Sequence, residues 1–346
     1  MTTPRLVVVL AAVSPLVSPS LADTPFMSIG DWGDTEAKNV ASIMGEYSPE
    51  FILALGDNMY DNGVTSVDDP LFKELFEDQF TADSLQVPWY VCAGNHDYYG
   101  GDAGIDAEMA YSDKSDRWIY PELYYNKEVT GSDGTTFNII SIDTWRLNSG
   151  DTYVLHEPKT GRSVLRNASM VHDHYARGMM NKGKFDALMK SFKEEPFETP
   201  IQERVKATGD PEQLAWINDT LASSKADWNL VIGHFPVYSA TTGEHGDTAI
   251  LVAYLMPILE EYGGTNTLYF SGHDHILQHN QKSSVNYFGS GAGARTHTGV
   301  DTHADYLLGY HQGSYGFMVH SASSTELATD FVIDDESVPY SYTITK

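Results

Sequence analysis

Short apolar runs that end in a glycine and a polar residue recur along the chain. The glycine is each time followed by Asp, Asn or His, and short apolar runs bounded by glycine are typical of buried strands. The runs lead into Gly30-Asp31, Gly56-Asp57, Gly94-Asn95-His96-Asp97, Gly233-His234 and Gly272-His273-Asp274-His275. We therefore predict that polar side chains gather at the carboxyl ends of several strands.

Stretches with helical periodicity lie between these runs. Apolar residues within 37–47 fall on one face, and Asp210 followed by Pro211 is typical of a helix N-terminus. The apolar stripe at residues 251–262 contains Pro257, which we expect to kink the helix or to begin a new segment. Alternating strands and helices predict an α/β protein.

Strand signals become dense from Val285 to the end of the chain, which suggests a second sheet packed on the first. In open α/β sheets, ligands bind where the loops at the carboxyl ends of the strands converge. The polar residues that follow the apolar runs are therefore the candidate site.

The chain has 346 residues, of which 41% are hydrophobic, and it can bury a substantial core. Its formal net charge of -27 repels nucleic acid and anionic membranes, so neither is an expected partner. The same charge repels phosphate groups at long range. A phosphate substrate would therefore need a local positive cluster, such as a pair of metal ions.

The first 22 residues have the features of a secretory signal peptide. Arg5 supplies the positive charge, residues 6–17 are mostly apolar, and Ser20-Leu21-Ala22 fits a small-x-small cleavage site. We expect the mature chain to begin near Asp23 and to be secreted or to lie in an extracellular or endomembrane lumen.

The only cysteine, Cys92, leaves no internal disulfide and lies in an apolar run typical of a buried thiol. Sequons at Asn167 and Asn218 indicate a glycoprotein if the host is eukaryotic.

The residues that follow the apolar runs form a candidate ligand set. They offer oxygen and imidazole donors without a thiolate, which suits Fe(III), Zn(II), Fe(II) or Mn(II). The set is too large for one ion and fits two ions that share a bridging ligand. Its members are Asp31, Asp57, Tyr60, Asn95, His234, His273 and His275.

These motifs resemble the five motifs of the calcineurin-like metallophosphoesterases. Most of that superfamily carries Asp-x-His in the first motif, whereas here Gly33 stands at the His position and Tyr60 follows Asp57 by three residues. In this exchange the sequence resembles the purple acid phosphatases of the small, tartrate-resistant type. The likeness extends through Ser239, Glu244-His245-Gly246 and Ser290-Gly291-Ala292-Gly293.

The resemblance implies a division of the ligands between two ions. Fe(III) would be held by Asp31, Tyr60 and His275, and a divalent Fe, Zn or Mn ion by Asn95, His234 and His273, with Asp57 as the bridge. The chemistry of the donors agrees, because a phenolate stabilises ferric iron and neutral amide and imidazole ligands suit a divalent ion.

The implied activity is that of an acid phosphatase. A metal-bound hydroxide would attack a phosphate monoester, with His96 and His245 as candidates for substrate contact and general acid. Substrates would be small phosphate esters, including nucleotides or phosphoproteins, and we expect a monomer. The expected fold is a single domain over residues 23–346, a four-layer α/β/β/α sandwich with two mixed sheets and metal ligands at the carboxyl ends of strands.

Residues 146–206 are atypical, because they replace a shorter loop of the family and carry 11 basic against 8 acidic residues. Two interpretations remain open, a lid over the metals and a glycosylated insertion without such a role. Within it, His172-Asp173-His174 is interpreted as a solvated pair. Arg295, which follows the Gly-rich turn, is left outside the site.

Three other functions remain open. A phosphodiesterase or nucleotide hydrolase could use the same ligands, because specificity resides in loops. A redox-active di-metal protein could generate reactive oxygen species from the same iron. A non-catalytic binding protein is the third, and the seven intact ligands argue against it.

Overall fold

The computed structural model describes residues 23–148, 153–156, 163–166, 210–243 and 245–346. The expected signal peptide, the Asn167 sequon and the His172/His174 pair lie outside these residues. The Asn218 sequon lies inside them, on a helix, where the Asn218 Oδ1 accepts a hydrogen bond from Tyr262 at 3.4 Å.

The strands of the described residues follow the predicted apolar runs and add several more. They are β1 Thr24–Ile29, β2 Phe51–Ala54, β3 Trp89–Val91, β4 Trp118–Ile119, β5 Tyr125–Thr130, β6 Thr136–Ser141, β7 Tyr153–His156, β8 Ser163–Arg166, β9 Trp228–Ile232, β10 Thr267–Ser271, β11 Leu277–Lys282, β12 Val285–Ser290, β13 Leu307–His311, β14 Gly316–Ala322, β15 Glu326–Ile333 and β16 Tyr340–Thr345.

The helices are short apart from two that follow residue 210. They are α1 Lys38–Met44, α2 Asn95–Tyr98, α3 Asp102–Ala110, α4 Thr144–Asn148, α5 Pro211–Ser223 and α6 Ala249–Gly263, with 3-10 turns at Thr35–Ala37, Asp83–Leu85 and Tyr111–Asp113 and a π-helix at Phe72–Glu77. Helix α5 begins as predicted, since the Asp210 carboxylate accepts a hydrogen bond from the Gln213 amide at 3.0 Å. None of the helices described here has both the length and the apolar character that a membrane crossing requires.

Two seven-stranded mixed sheets organise the described residues. The first has the order β16-β15-β14-β1-β2-β3-β4 and the second the order β13-β11-β12-β10-β9-β6-β5. Strands β1 to β4 are parallel neighbours, and so are β12, β10, β9 and β6. Antiparallel strands extend both sheets, which confirms the expected pair of mixed sheets.

The sheets pack face to face, and helices cover their outer faces. Phe26 of the first sheet lies 5.8 Å from Phe137 and 6.4 Å from Phe270 of the second, measured between ring centroids. A separate cluster joins the other face of the second sheet to α5 and α6, through residues such as Val231 and Leu255. Strands buried on both faces need a continuous apolar sequence, which explains the runs seen in β2, β9 and β10.

One expectation about the strands was wrong, and so was one of the two alternatives for Pro257. The strands after Val285 do not form one sheet of their own, because β12 and β13 belong to the second sheet whereas β14, β15 and β16 extend the first beside β1. Pro257 lies inside a continuous α6, so it starts no new segment, and the kink stays a prediction.

The atypical segment contains ordered structure that the sequence did not predict. Arg146, its first residue, belongs to helix α4, and β7 and β8 pair in antiparallel orientation. The remainder of residues 146–206 lies outside the described part. Cys92 is free and buried, as predicted.

His320 lies between the two sheets and couples their packing to pH. Its ring stacks on Phe26 at 4.5 Å, and its nitrogens lie 3.0 Å from Ser28 Oγ and 2.9 Å from Thr329 Oγ1. Burial lowers the pKa of His320 to about 3 from 6.5. The unfolded chain therefore binds this proton more tightly, and stability is lost as pH falls from 6.5 toward 3.

We predict that His320→Gln reduces the acid sensitivity of the fold. At pH 4.5 the buried imidazole costs the native protein about 2–3 kcal/mol that the glutamine does not. Denaturant unfolding at pH 7 and pH 4.5 measures the difference, with His303→Gln at an exposed imidazole as the control. An equal loss of stability in the wild type and in His320→Gln would contradict the prediction.

Candidate metal centre

The carboxyl ends of both parallel strand groups meet at one edge of the sandwich. In the first sheet Ile29 pairs with Ala54, and Ala54 with Val91, so the loops after β1, β2 and β3 emerge side by side. In the second sheet, the Gly272 amide donates to the His234 carbonyl at 3.0 Å, which joins the loops after β9 and β10. All seven sequence-predicted ligands lie on these loops.

The backbone after each strand turns sharply to aim the ligand inward. Asp31, Asp57 and His273 have φ of 56°, 52° and 67°, a region that L-residues seldom adopt. Glycine is required at two nearby positions because a ligand carboxylate approaches the backbone closely. A Cβ on Gly94 would lie 2.2 Å from Asp57 Oδ1, and one on Gly272 would lie 2.6 Å from Asp31 Oδ2.

One group of donors converges on Asp31. The Tyr60 hydroxyl lies 2.9 Å from Asp31 Oδ1, and His275 Nε2 lies 3.2 Å from the same oxygen. Neighbouring ligands of an octahedral ion with bonds of ~2.1 Å lie ~3 Å apart, so this spacing fits one ion. The His273 amide donates to Asp31 Oδ2 at 2.7 Å and fixes the orientation of the carboxylate.

A second group converges on Asn95. Its Oδ1 lies 3.1 Å from His234 Nε2 and 3.0 Å from His273 Nδ1. His234 Nδ1 lies 2.8 Å from the Leu55 carbonyl, and donation to this carbonyl leaves Nε2 as the ligand atom. An imidazole oriented in this way by its second nitrogen could bind a cation through Nε2.

Asp57 lies between the two groups. Its Oδ1 is 3.4 Å from His234 Nε2, and its carboxylate also interacts with the Tyr60 hydroxyl. One donor atom from each of Asp31, Asp57 and His234 lies within 4.8 Å of the others. The position suits a carboxylate that bridges two ions.

Burial makes this cluster strongly electrostatic. Burial and the carboxylates of Asp31 and Asp57 hold the pKa of Tyr60 well above its usual range. Burial opposes ionisation of Asp57, but the imidazoles of His234 and His96 lower its pKa. Carboxylates removed from water require compensating positive charge, and bound cations supply it.

Asp97, which the sequence placed in a motif without a role, joins two ligand loops. Its Oδ1 accepts from the amides of Asn58 and Met59 at 2.9 and 3.0 Å, and its Oδ2 from Gly94 at 2.7 Å. Burial and the nearby Asp57 raise the pKa of Asp97 to about 7. Its contacts thus hold the loops after β2 and β3 in register.

The two candidate catalytic histidines lie beside the ligands. The His96 amide donates to Asp57 Oδ1 at 2.8 Å, and His96 Nε2 lies 3.9 Å from Asp57 Oδ2. The His245 ring centroid lies 5.1 Å from that of His273 and 5.4 Å from that of His275. The structure therefore brings both imidazoles to the edge of the ligand cluster.

Asp274 is a residue of the site that sequence reasoning missed. It is fully buried, and its Oδ1 lies 3.0 Å from His245 Nδ1. The Ser239 hydroxyl and the Gly246 amide donate to its Oδ2, the latter at 3.2 Å. Its position inside the Gly-His-Asp-His motif was the signal that could have identified it. Arg295, which had been left outside the site, lies against Tyr60.

Known proteins with similar sequences are phosphatases. The calcineurin-like phosphoesterase family (Metallophos) matches residues 24–277. Human tartrate-resistant acid phosphatase type 5 is 34% identical over 299 residues, which cover 80% of this chain and 77% of the relative. Purple acid phosphatase 3 of Arabidopsis thaliana is 31% identical over 331 residues, which cover 91% of this chain and 76% of the relative.

Solved structures share the fold at lower sequence identity. The Plasmodium protein GAP50, described as the anchor in the inner membrane complex, matches with a TM-score of 0.67 and 21% identity over 94% of this chain and 89% of its own. The purple acid phosphatase PPD1 from yellow lupin seeds matches with a TM-score of 0.60 and 14% identity, over 93% of this chain and 54% of its own. These two likenesses concern the fold alone.

We predict that Asn95→Ala removes one of two bound ions. Asn95 Oδ1 is the atom on which His234 and His273 converge, so its loss should lower the metal content from about two to about one per chain. Metal analysis of the purified variant measures this. Asn126→Ala, at an exposed asparagine of β5, is the control and should keep the wild-type content. Full metal content in Asn95→Ala would refute the second ligand group.

Proposed function

This chain belongs to the calcineurin-like phosphoesterase family, among the tartrate-resistant and purple acid phosphatases, and we propose that it hydrolyses phosphate monoesters at an Fe(III)–M(II) centre. It is a metal-dependent phosphoesterase and an acid phosphatase by its relatives. The proposal adds to this family assignment the identity of the two ions and the preference for monoesters.

The observation that carries the proposal is the contact of Tyr60 with Asp31. The Tyr60 phenol lies 2.9 Å from the buried Asp31 carboxylate, and on binding an ion in place of its proton it would give this ligand group a hard phenolate donor that the other group lacks. We assign Asp31, Tyr60 and His275 to Fe(III), and Asn95, His234 and His273 to a divalent Fe, Zn or Mn ion, with Asp57 between them. Burial and the neighbouring His245 hold the pKa of His273 well below its usual range, so its ring is neutral and able to bind a cation.

Once bound, the ion pair supplies a strong nucleophile at acidic to neutral pH and balances the charge of the phosphoryl oxygens. The protein's own contribution is geometric, because Asp31, Asp57 and His234 are each held by a contact outside the proposed metal bonds. Asp31 accepts from the His273 amide, Asp57 accepts from the His96 amide, and His234 donates to the Leu55 carbonyl. Ligands fixed in this way keep the phosphoryl group in one orientation.

His245 is the proposed proton donor to the leaving alkoxide. Its Nδ1 lies 3.0 Å from the buried Asp274 carboxylate, which stabilises the protonated imidazole and fixes the orientation of the ring. A proton delivered from the outer nitrogen would neutralise the departing oxygen.

His96 is the proposed phosphate contact. Its Nδ1 lies 2.7 Å from the Asp61 carbonyl, so donation to this carbonyl directs Nε2 toward the ligand cluster. The ring lies 4.5 Å from Tyr60 and 4.8 Å from Tyr99, measured between centroids, and these contacts restrict its rotation. The imidazole is therefore placed to contact an oxygen of a phosphoryl group bound at the ions.

We also propose that the chain is exported and acts as a single domain. The leader-like residues 1–22 support export, and a lone buried cysteine is compatible with an oxidising compartment. One core shared by both sheets supports a single domain, with residues 146–206 as an insertion that begins within α4 and ends before α5.

A visible absorption spectrum tests the iron assignment. We predict a broad purple band from the tyrosinate–Fe(III) pair, absent in Tyr60→Phe because the phenolate donor is lost. Tyr98→Phe is the control, since the Tyr98 hydroxyl bonds to Asp143 and not to a ligand. A colourless wild type with two zinc or manganese ions would remove the iron and, with it, the redox alternative.

Steady-state kinetics test the roles of the histidines. We predict that His96→Ala and His245→Ala each lower kcat for a phosphate monoester by roughly 10²–10⁴-fold, the contribution of a positioned proton-transfer or charge-stabilising group. His303→Ala at an exposed imidazole should leave kcat unchanged. A higher kcat/KM for the corresponding diester would favour the phosphodiesterase alternative over the monoesterase.

A further inference from the structure

Arg295 lies over the ring of the proposed iron ligand. Its guanidinium carbon is 4.6 Å from the centroid of the Tyr60 ring, within the range of a cation–π contact. The side chain is 30% exposed, so the pair lies at the edge of the site and is partly shielded from water. Arginine is suited to this contact because its planar, permanently charged head stacks on aromatic faces.

Two carboxylates hold the guanidinium in this position. Its Nη2 lies 2.5 Å from Asp34 Oδ2 and 3.2 Å from Asp61 Oδ1. Asp34 lies on the loop that carries Asp31, and Asp61 directly follows Tyr60. The contact therefore connects both ligand-bearing loops of the first sheet to the Gly-rich turn after β12.

The backbone of that turn is fixed as well. The Ala294 amide donates to the Asp31 carbonyl at 2.7 Å, and the Gly293 amide donates to the Gly30 carbonyl at 3.1 Å. The segment that carries Arg295 is thus attached to the first ligand loop before its side chain makes any contact. A substrate-binding arginine would be expected to leave its charge available, whereas this one is engaged by two anions and one ring.

A cation over an aromatic face stabilises the electron-rich ring, and a phenolate gains more than a neutral phenol because of its negative charge. Electron density held on the ring is less available to a bound metal. Contacts outside the ligand set that act in this way are a general means of adjusting a metal centre.

We propose that Arg295 is a positioning residue that fixes the Tyr60 ring and weakens its electron donation to Fe(III), which raises the reduction potential of the iron. The inference rests on the proposed function, because it requires a tyrosinate–iron bond. Substitution by a neutral residue removes the cation from the ring, so the phenolate becomes a stronger donor. The absorption band then moves to longer wavelength and the reduction potential falls.

The experiment compares the purple holoenzyme with Arg295→Met, Arg295→Gln and Arg295→Lys. The two neutral variants should show the band at longer wavelength and a lower potential, and Arg295→Lys, which keeps a cation, should lie nearer to the wild type. Lys346→Met is the matched control. Lys346 lies 4.1 Å from the Trp228 ring centroid, at the opposite end of β9, so its removal takes away a similar cation–π pair without changing the band.

The outcomes separate this inference from the iron assignment. A wild type without a purple band fails the proposed function, whereas a purple wild type whose band and potential are unchanged in both neutral variants overturns the role of Arg295. Titration with inorganic phosphate tests the competing role. An unshifted band together with phosphate affinity weakened roughly ten-fold or more would make Arg295 a phosphate ligand, since a charge-assisted hydrogen bond would be lost.

Discussion

The burial of two carboxylates at the meeting edge of two sheets is the constraint on which the rest of the site depends. Asp31 and Asp57 are almost completely removed from water, and a buried anion is stable only with a partner of opposite charge. Within the described part of the chain, the side chains nearest to these two carboxylates are imidazoles and a phenol. A neutral imidazole or phenol does not balance the charge of a carboxylate. A pair of cations satisfies the requirement, and the surrounding hydrogen bonds are organised to receive it.

The architecture places these carboxylates by means of the parallel strands. Loops leaving adjacent parallel strands come out side by side, so ligands from β1, β2 and β3 meet those from β9 and β10 without long excursions. The left-handed backbone at Asp31, Asp57 and His273 turns each ligand inward. The adjoining glycines leave the space in which the neighbouring loop approaches.

Charge also explains how an acidic protein can act on phosphate. A net charge of -27 opposes the approach of an anion, and the local field at the strand ends must reverse it. A pair of bound cations would supply this reversal. Arg295 contributes little to it, because Asp34 and Asp61 engage its charge, and its influence is directed to the Tyr60 ring.

The amino-acid sequence by itself determined the buried strands that lead to the site, the start of α5 and the ligand types. Buried strands, their terminal glycines and the Asp210 cap are local patterns, since each depends on the identity and spacing of neighbouring residues. Only the tertiary structure decided which strands pair and which side chains meet. The strands after β12 have similar sequence patterns, yet β13 belongs to the second sheet and β14, β15 and β16 belong to the first. Their pairing depends on strands that are distant along the chain, such as β1 beside β14. Asp274 beneath His245 and Arg295 over Tyr60 depend on contacts between distant loops, and no local periodicity encodes such contacts.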